Sequence, residues 1–358
     1  MAKIKIFCLH CGRMLQSDEA SRGQKFRCPH CKHSVLVPTR SRKRIRIRTG
    51  PRSKKKIFLL AAVGLILATA LLAVGLWLLA PVRVHWPDRR PIGVLFLASD
   101  YHSSATNPRG WFNDQSLDFT GTNGVQRFRQ ALLDYTDRSL AILKRTGAQG
   151  TIVWDLEGEE YPHKTSFIGD PRLLNHLAPE MAAAVDEFFA RLRGAGLKIG
   201  LTIRPQQLVF DEHGLPQQTQ VADIAGSLRD KIDYAQKRWG VTIFYVDSNG
   251  GIRRPDEVWQ LRRLSAERPD ILLIPEHHYL PYWEFSAPYV ALRKGGSTGT
   301  ANWAHHLFPG SFQALDIGDA AADWAKIVAA KSQGDILLFR AWYPNPESDL
   351  IESLAHER

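Results

Sequence analysis

Residues 57–80, IFLLAAVGLILATALLAVGLWLLA, form a stretch of 24 residues without a charged side chain. As a helix rising about 1.5 Å per residue, this stretch would extend roughly 36 Å, more than the roughly 30 Å of a bilayer's hydrocarbon core. A buried core helix is usually shorter and less uniform. A signal peptide ends in a small-residue cleavage site, and none follows this stretch. The stretch therefore predicts one transmembrane helix that divides the chain into two parts.

Basic residues are concentrated directly before this stretch. The chain has a net charge of +11, and residues 1–56 hold 17 Lys and Arg against 2 Asp and Glu. Because Lys and Arg resist translocation, we expect a single-pass protein of the cell membrane, with the amino-terminal part in the cytoplasm and the carboxy-terminal part outside. The polybasic linker, residues 40–56, is expected to bind anionic lipid of the inner leaflet, at about 1 kcal/mol per basic side chain. A nucleic-acid partner is not predicted, since the excess charge lies next to the membrane.

All four cysteines precede the apolar stretch, as the pairs Cys8/Cys11 and Cys28/Cys31 with 16 residues between the pairs. Two CxxC pairs at this separation are typical of a tetrahedral structural Zn²⁺ site. Disulfides are disfavoured in a reducing compartment, and a redox CxxC motif would lie in a βαβ context. A module this short buries little surface, so the metal is expected to supply most of its folding energy.

The segment FCLHCGRMLQSDEASRGQKFRCPHCKHSVLVP resembles the small zinc ribbons found at the amino termini of many bacterial membrane proteins. The resemblance implies a small β fold over residues 1–39 and does not imply an activity. His10, His30 and His33 are expected to be bystanders, because four thiolates complete the shell of a structural site. Docking a cytoplasmic protein partner and capping the amino terminus are both open as roles for the ribbon.

After a linker, residues 81–90, the chain alternates short apolar runs with amphipathic stretches over residues 91–358. Six apolar runs begin at Ile92, Thr151, Lys198, Thr242, Ile271 and Ile336, and two fainter ones at Pro288 and Phe312. Between runs, one apolar helical face joins Met181, Val185, Phe188 and Leu192. Strands and helices in alternation predict an α/β fold with a parallel sheet, and about 270 residues suit one (β/α)8 TIM-like barrel. An open nucleotide-binding sheet is disfavoured because no glycine-rich fingerprint follows the first strand.

Polar residues stand where the predicted strands end, which is where (β/α)8 barrels build their active sites. They are Asp100, His102, Asp155, Glu157, Arg204, Asp247, Asn249, Glu276, His277, His278, Asp316, Arg340 and Trp342. Carboxylates and aromatic rings converging on one rim predict a polar, ring-shaped ligand, such as a carbohydrate substrate. The candidate substrate-binding residues are Arg204, Asn249, His277, Trp154, Trp342, Arg340 and Asp100, with Trp283 and Trp303 as further candidates for sugar stacking. Asp155 and Glu157 would point to one side if their strand continued that far.

Two segments, GAGLKIGLTIRPQQ and DYAQKRWGVTIFYVDSNGG, resemble the third and fourth strands of the α-galactosidase-like clan of retaining glycoside hydrolases. The resemblance covers about sixty residues, and it implies that Asp247 is the nucleophile. The clan's acid is an Asp after the sixth strand, where this chain has ALRKGGSTGT without a carboxylate. Glu276, Asp155 or Glu157 would then be the acid, or the domain binds envelope polysaccharide without hydrolysing it.

A different interpretation assigns a catalytic divalent metal to Asp100, His102, His277 and His278, as in metal-dependent TIM-barrel hydrolases. Those hydrolases use a His-x-His pair on the first strand, whereas this chain has Asp-Tyr-His and lacks an Asp after the last strand. The sequence therefore favours a membrane-anchored, exported glycoside hydrolase whose barrel uses no cofactor, with Asp247 as nucleophile and Glu276 as acid/base.

Overall fold

The computed structural model describes residues 3–39, 62–69, 72, 84–99, 102–160, 165–166, 169–213, 216–250, 254–292, 302–318, 324–341 and 346–356. The chain separates into two compact units, Met1–Leu79 and Ala80–Arg358. Within the predicted membrane span, residues 62–69 are helical, and the rest lies outside the described residues except residue 72. Among the described residues, no helix combines the length and the apolar character needed to cross a membrane. The transmembrane helix therefore stays a prediction.

The first unit contains two short antiparallel hairpins. Strand β1 (Lys3–Phe7) pairs with β2 (Met14–Asp18), and β3 (Lys25–Arg27) pairs with β4 (Ser34–Leu36). A 3-10 turn, Glu19–Ser21, lies between the hairpins. The small core of this first unit consists of Ile6, Cys8, Leu15, Cys28, Val35 and Val37. Because so few side chains are buried, we expect this module to need a further source of stability.

Eight parallel strands form the sheet of the second unit. They are β5 (Ile92–Phe96), β6 (Gly150–Trp154), β7 (Lys198–Ile203), β8 (Val241–Val246), β9 (Leu272–Pro275), β10 (Tyr289–Ala291), β11 (Ala314–Asp316) and β12 (Ile336–Arg340). Their order is β9-β8-β7-β6-β5-β12-β11-β10, so neighbours in the chain are neighbours in the sheet. The first and last strands in this order are linked by the Ala287 amide, which donates to the Leu273 carbonyl at 3.0 Å. The sheet is a nearly closed (β/α)8 barrel, and each of the eight predicted apolar runs overlaps one strand.

Helices lie between the strands. They are α1 (Gly124–Arg145), α2 (Leu174–Leu177), α3 (Pro179–Ala182), α4 (Val185–Gly194), α5 (Ile224–Trp239), α6 (Pro255–Glu267), α7 (Tyr282–Phe285), α8 (Asn302–Leu307), α9 (Trp324–Ser332) and α10 (Pro346–His356). The predicted apolar face is confirmed, since Met181, Val185, Phe188 and Leu192 are all fully buried. It runs through α3 and α4, because the chain turns at residues 183–184.

The strands are buried on both faces, as their continuous apolar runs predict. One face packs against the helices, and the other fills the interior of the barrel. The interior residues are Ile92, Val94, Ile152, Ile243, Tyr245, Leu272, Ile274, Ala314, Ile336 and Leu338. Two hairpins, Glu159–Glu160 with Thr165–Ser166 and Gln207–Phe210 with Pro216–Thr219, follow β6 and β7. These hairpins thus follow the carboxyl ends of the strands, and we call this end of the barrel the rim.

Candidate functional site

The four cysteines of the first unit meet in one cluster. The sulfur of Cys8 lies 3.5 Å from that of Cys31, and the sulfur of Cys11 lies 3.7 Å from that of Cys28. All four sulfurs lie within 4.8 Å of one another, and no disulfide joins them. A tetrahedral Zn²⁺ with Zn–S bonds of about 2.3 Å would separate its sulfurs by about 3.8 Å. The cluster predicted from the CxxC spacing is confirmed as a site that could hold a metal ion, and its geometry fits Zn²⁺.

Each CxxC pair turns tightly around its sulfurs. Gly12 has φ 71° and donates its amide to the Cys8 carbonyl at 2.8 Å, and Lys32 repeats the turn with φ 62° and a 2.9 Å bond to the Cys28 carbonyl. Backbone N–H groups of Cys11 and His10 donate to the Cys8 sulfur and lower its pKa to about 6. Such turns present N–H dipoles to thiolates, which are the form that binds metal.

At the rim of the barrel, Asp247 directly follows β8 and Arg204 directly follows β7. The Arg204 guanidinium donates from Nε to Oδ2 of Asp247 at 2.6 Å. The Ser248 hydroxyl donates to the same oxygen at 3.1 Å. The Asp247 side chain is 11% exposed, so one of the predicted carboxylates is held in a fixed orientation at the edge of solvent.

Ser248 also connects Asp247 to the neighbouring strand. Its backbone has φ 55°, a left-handed conformation that non-glycine residues adopt at a cost of about 1–2 kcal/mol. In this conformation its amide donates to Oε2 of Glu276, which follows β9, at 2.8 Å. The Glu276 side chain is 32% exposed. The carboxylates of Asp247 and Glu276 therefore bond to the hydroxyl and the amide of one residue.

Aromatic side chains lie beneath these carboxylates and close the barrel interior, and we call them the aromatic floor: Phe96, Trp154, Tyr245 and Tyr289. The ring centroids are 4.8 Å apart for Phe96 and Trp154, 4.6 Å for Trp154 and Tyr245, and 5.3 Å for Tyr245 and Tyr289. Trp154, Tyr245 and Tyr289 come from alternate strands β6, β8 and β10, as in the layered interior of (β/α)8 barrels. The rings are tilted against one another, by 41°, 35° and 81° for these three pairs, and they are half-buried except for the buried Tyr245.

Three carboxylates surround the Tyr245 hydroxyl. Burial, together with the charges of Glu276, Asp247 and Asp316, raises the pKa of Tyr245 far above its usual range. Asp316, at the end of β11, accepts a hydrogen bond from the Tyr289 hydroxyl at 2.6 Å. The site is therefore acidic, with neutral phenol groups in its floor and Arg204 bound to one of its carboxylates. It suits a neutral or positively charged ligand better than an anion.

Glu157 is turned away from this site. Strand β6 ends at Trp154, Asp155 adopts φ 56°, and residues 156–157 form a turn. The two-residue alternation that would have placed Asp155 and Glu157 on one side therefore does not apply. Glu157 is 1% exposed and accepts the amide of Asp170 at 3.1 Å. Both Asp155 and Glu157 are buried.

Lys231 of α5 supports the loop that carries Arg204. Its ammonium group donates to the carbonyls of Arg204 and Gln206 at 2.7 and 2.6 Å, and it lies 3.8 Å from the Asp170 carboxylate. Burial lowers the pKa of Lys231 to about 8. Gly169 allows the close approach of this region, because a Cβ there would lie 2.3 Å from the Arg204 amide nitrogen. Arg204 is thus positioned from below by contacts that reach it through its backbone.

We predict that Glu157 makes the unfolding of the barrel sensitive to pH. Burial raises the pKa of Glu157 to about 8, and the Asp170 carboxylate adds to the effect. In the unfolded chain the group titrates near about 4.3, so between these values only the folded state keeps the proton. The free energy of unfolding should therefore fall as pH rises from about 4.3 to 8. In Glu157→Gln, we expect the melting temperature to fall by a few °C less between pH 5 and 7.5, measured by thermal denaturation.

Glu212→Gln is the matched control, since Glu212 is 87% exposed. It should keep the pH dependence of the wild type. An unchanged slope in Glu157→Gln would contradict the assignment.

Three other predicted site residues can be placed, and two cannot. Asn249 is buried, and neither atom of its amide has a hydrogen-bond partner among the described residues. His277 is half exposed, with Nε2 3.1 Å from the Asn249 carbonyl, and Arg340 is held by Glu347 of α10, with its Nε 3.4 Å from Oε1. Asp100 and Trp342 lie outside the described residues.

Of the other candidate tryptophans, none whose side chain is described contributes to the floor. Trp283 is buried with the core, at 6% exposure. Trp303 lies in α8, whose side chain at this position is outside the described set. Trp154 is thus the predicted aromatic residue that the fold brings to the floor of the site.

A catalytic metal in the barrel would need at least three clustered ligands. Across the described ranges, the group of three or more His, Cys, Asp or Glu ligand atoms close enough for one ion is the cysteine quartet. His102, His277 and His278 form no such group with the described acidic residues. Asp100, which that interpretation also needs, lies outside the described residues.

Sequence reasoning missed Ser248 and the two tyrosines of the floor. Tyr245 precedes Asp247 by two residues, and alternation along a strand would have placed both on one side. Ser248 carried no signal, because its role depends on a left-handed backbone and on a strand 28 residues further along the chain. Lys231 could have been noticed as a lysine on the apolar face of α5.

The fold and the rim define a (β/α)8-barrel protein with an acidic site above an aromatic floor. No family model matches the chain, and no curated protein matches it. Solved structures similar to it include α-L-fucosidase isoenzyme 1 from Paenibacillus thiaminolyticus, with 12% identity over 74% of this chain and 72% of that chain and a TM-score of 0.43. An α-amylase from Geobacillus thermoleovorans has 12% identity over 74% and 77% of the two chains, also with a TM-score of 0.43. These likenesses are too distant to assign a function to this chain.

Proposed function

We propose that the barrel is a glycoside hydrolase that retains anomeric configuration, with Asp247 as nucleophile and Glu276 as acid/base. The observation that carries the proposal is that both carboxylates bond to Ser248, at the ends of adjacent strands and above the aromatic floor. A retaining hydrolase needs two carboxyl groups about 5–5.5 Å apart, and two groups bonded to one residue are compatible with that separation. The partly exposed rings of Phe96, Trp154 and Tyr289 beneath them could each pack against the apolar face of a sugar ring.

In the first step, a carboxylate oxygen of Asp247 attacks the anomeric carbon while Glu276 gives its proton to the departing glycosidic oxygen. In the second step, the Glu276 carboxylate takes a proton from water, and the water oxygen displaces Asp247 from the anomeric carbon. Arg204 keeps the Asp247 carboxylate oriented, and the surrounding negative charge favours the positive charge that develops on the sugar ring.

Glu276 is preferred over Asp155 and Glu157 as the acid because of access. An acid must reach the leaving group, and the Glu276 side chain is 32% exposed, whereas Asp155 and Glu157 are 5% and 1% exposed. Glu157 is also committed to the amide of Asp170. The sixth-strand acid of the resembled clan has no counterpart in ALRKGGSTGT, so the neighbouring strand would supply it.

The acid/base assignment predicts that the loss of rate in Glu276→Gln depends on the leaving group. Without the acid, glycosides with poor leaving groups should lose roughly 10²–10⁴-fold in kcat/KM, because their departure needs a proton. A 2,4-dinitrophenyl glycoside needs none and should lose little in kcat/KM. Its kcat should fall, because the second step has lost its base, and azide should restore kcat by giving a glycosyl azide. The measurement is kcat/KM of the full-length protein in neutral detergent on a panel of aryl glycosides of neutral hexoses.

Glu284→Gln is the control, because Glu284 is a carboxylate paired with Arg262 away from the rim. Its rates should match the wild type. Uniform loss across all leaving groups in Glu276→Gln would reject Glu276 as the acid. No turnover of any glycoside by the wild type, together with retention on a polysaccharide column, would favour the alternative of a non-catalytic binder.

The rest of the chain belongs to the same proposal. Residues 57–80 would anchor the protein in the cell membrane, with the barrel outside and the cysteine module inside, holding Zn²⁺. Residues 40–56 would contact anionic lipid of the inner leaflet. The support is the apolar length and the distribution of charge in the sequence.

A further inference from the structure

A cavity of about 490 Å³ lies at the end of the barrel opposite the rim. Its lining residues precede β5, lie at or just before the start of β12, follow α1, or belong to α9 and α10, so the cavity lies at the amino-terminal face. Pro91, Leu337, Ile351 and Leu354 supply apolar walls. The charged side chains of the lining are three cations and one carboxylate: Arg89, Arg90, Lys331 and Asp335. A cavity of this size lies within the range of small-ligand sites.

Arg89 is a partly buried cation in the wall of this cavity. Its guanidinium carbon lies 3.2 Å from the centroid of the Phe312 ring, and its buried Nη1 has no hydrogen-bond partner in the part of the chain that the structure describes. Burial lowers the pKa of Arg89 to about 10, against the opposing effect of Asp335. The Asp335 carboxylate accepts bonds from the Gln313 amide and side chain at 3.1 and 3.0 Å. A buried donor without a hydrogen-bond partner costs free energy, so an anion that accepted a bond from Arg89 would stabilise the folded protein.

Lys331 adds a second cation to the same cavity. Its ammonium group donates to the Leu354 carbonyl, near the end of α10. An ammonium group has three donors, so this bond leaves capacity for an anionic ligand. Apolar walls beside two cations are the chemistry of an anionic amphiphile rather than of a free inorganic ion.

A second cavity of about 460 Å³ lies on the other side of the end of α1. It shares Arg90 and Gly147 with the first cavity, and its lining includes Leu140, Leu197 and the cation Lys144. Arg90 itself pairs with Asp88 at 2.9 Å. Two apolar cavities that flank a shared basic residue match a molecule with one anionic group and two hydrocarbon chains.

We propose that this amino-terminal face binds an anionic glycerophospholipid, with the phosphate at Arg89 and Lys331 and hydrocarbon in the cavities. Phosphate is a strong acceptor for Arg and Lys donors, and acyl chains match the Leu, Ile and Pro walls. Arg89, the first residue of the cavity wall, follows the predicted membrane span, residues 57–80, by nine residues, so the bilayer is the source of ligand to which the proposal commits. The inference does not depend on hydrolysis at the rim.

The test uses the full-length protein in neutral detergent, with dioctanoyl phosphatidylglycerol or dioctanoyl phosphatidylcholine added as probe. Amide hydrogen exchange is read peptide by peptide, because the polybasic linker, residues 40–56, is also expected to bind anionic lipid. We expect phosphatidylglycerol to slow exchange at least fivefold in peptides covering residues 84–91 and 331–338, and phosphatidylcholine to leave them unchanged. Equal protection by both lipids, or none by either, would overturn the proposal.

Variants separate the cavity from general attraction to charge. Arg89→Gln and Lys331→Gln, made singly, should each weaken the phosphatidylglycerol effect roughly tenfold in lipid concentration. Arg145→Gln is the matched control, since Arg145 lies on the same face but is paired with Asp349 and Glu352. Neutralising Lys54, Lys55 and Lys56 should likewise leave protection at the face intact. If Arg145→Gln weakened the effect as much as Lys331→Gln, the cavity would not be the site.

Discussion

An Asp247→Asn variant of the full-length protein is expected to lose on the order of 10⁴-fold or more in kcat/KM on any glycoside that the wild type hydrolyses. The amide is not nucleophilic, so the glycosyl-enzyme intermediate cannot form. Its oxygen can still accept the bonds that Arg204 Nε and the Ser248 hydroxyl donate to Oδ2, and the fold should persist. Steady-state kinetics on aryl glycosides, with thermal denaturation beside them, provide the measurement.

Two controls make this result specific. Asp349→Asn removes a carboxylate that is 72% exposed and far from the rim, and its activity should stay within twofold of the wild type. A 2-deoxy-2-fluoro glycoside of the preferred sugar should label wild-type Asp247 and no other carboxylate, as read by peptide mass spectrometry. Turnover by Asp247→Asn at the wild-type rate, or a label on another residue, would remove Asp247 from the mechanism.

Loss of the metal is expected to unfold the cysteine module. Structural Zn²⁺ contributes about 10–16 kcal/mol to the folding of small thiolate modules, far more than the few buried side chains here can replace. Cys28→Ser should lower bound zinc from one ion per chain to none, measured by elemental analysis. Amides of residues 3–39 should then exchange at unprotected rates. The barrel should keep its protection, because it is a separate compact unit with its own core.

His30→Ala is the matched variant for the metal site. His30 is exposed and its Nδ1 lies 3.0 Å from Nη1 of Arg13, so one zinc per chain should remain after the substitution. Retention of stoichiometric zinc by Cys28→Ser would show that this thiol is not a ligand. Loss of zinc from His30→Ala would show that the four-thiolate assignment is incomplete.

The barrel was largely predictable because its strands are hidden on both sides. Runs such as IVW from Ile152 and IFYV from Ile243 are apolar or aromatic throughout, which is the pattern of a parallel strand covered by helices outside and by side chains inside. Their spacing left room for one helix between strands, and (β/α)8 closure was the arrangement that fitted their number. The cysteine cluster was predictable for a similar reason, since CxxC spacing is set by the geometry of one metal ion.

The pairing of carboxylates was less accessible. Asp155 and Glu157 were alternatives to Glu276 as the acid, and what distinguishes them from it is a backbone detail, the left-handed conformation of Asp155 at the end of β6. Glu157 then finds the amide of Asp170, a contact across a loop that no local pattern predicts. The bond from Ser248 to Glu276 joins two strands, so it exists only once the sheet has its register.

By itself, the sequence determined the apolar stretch, the asymmetry of charge around it, the four-cysteine spacing and the eight buried strands. Each of these follows from a rule that acts along the chain: hydrophobic length, period of burial or ligand spacing. The tertiary structure decided which polar side chains meet. Arg204, Asp247 and Glu276 come from three strands, and the rings of the floor from four, so their contacts depend on closure of the barrel. A site of this kind is a property of the rim, and the rim exists only in three dimensions.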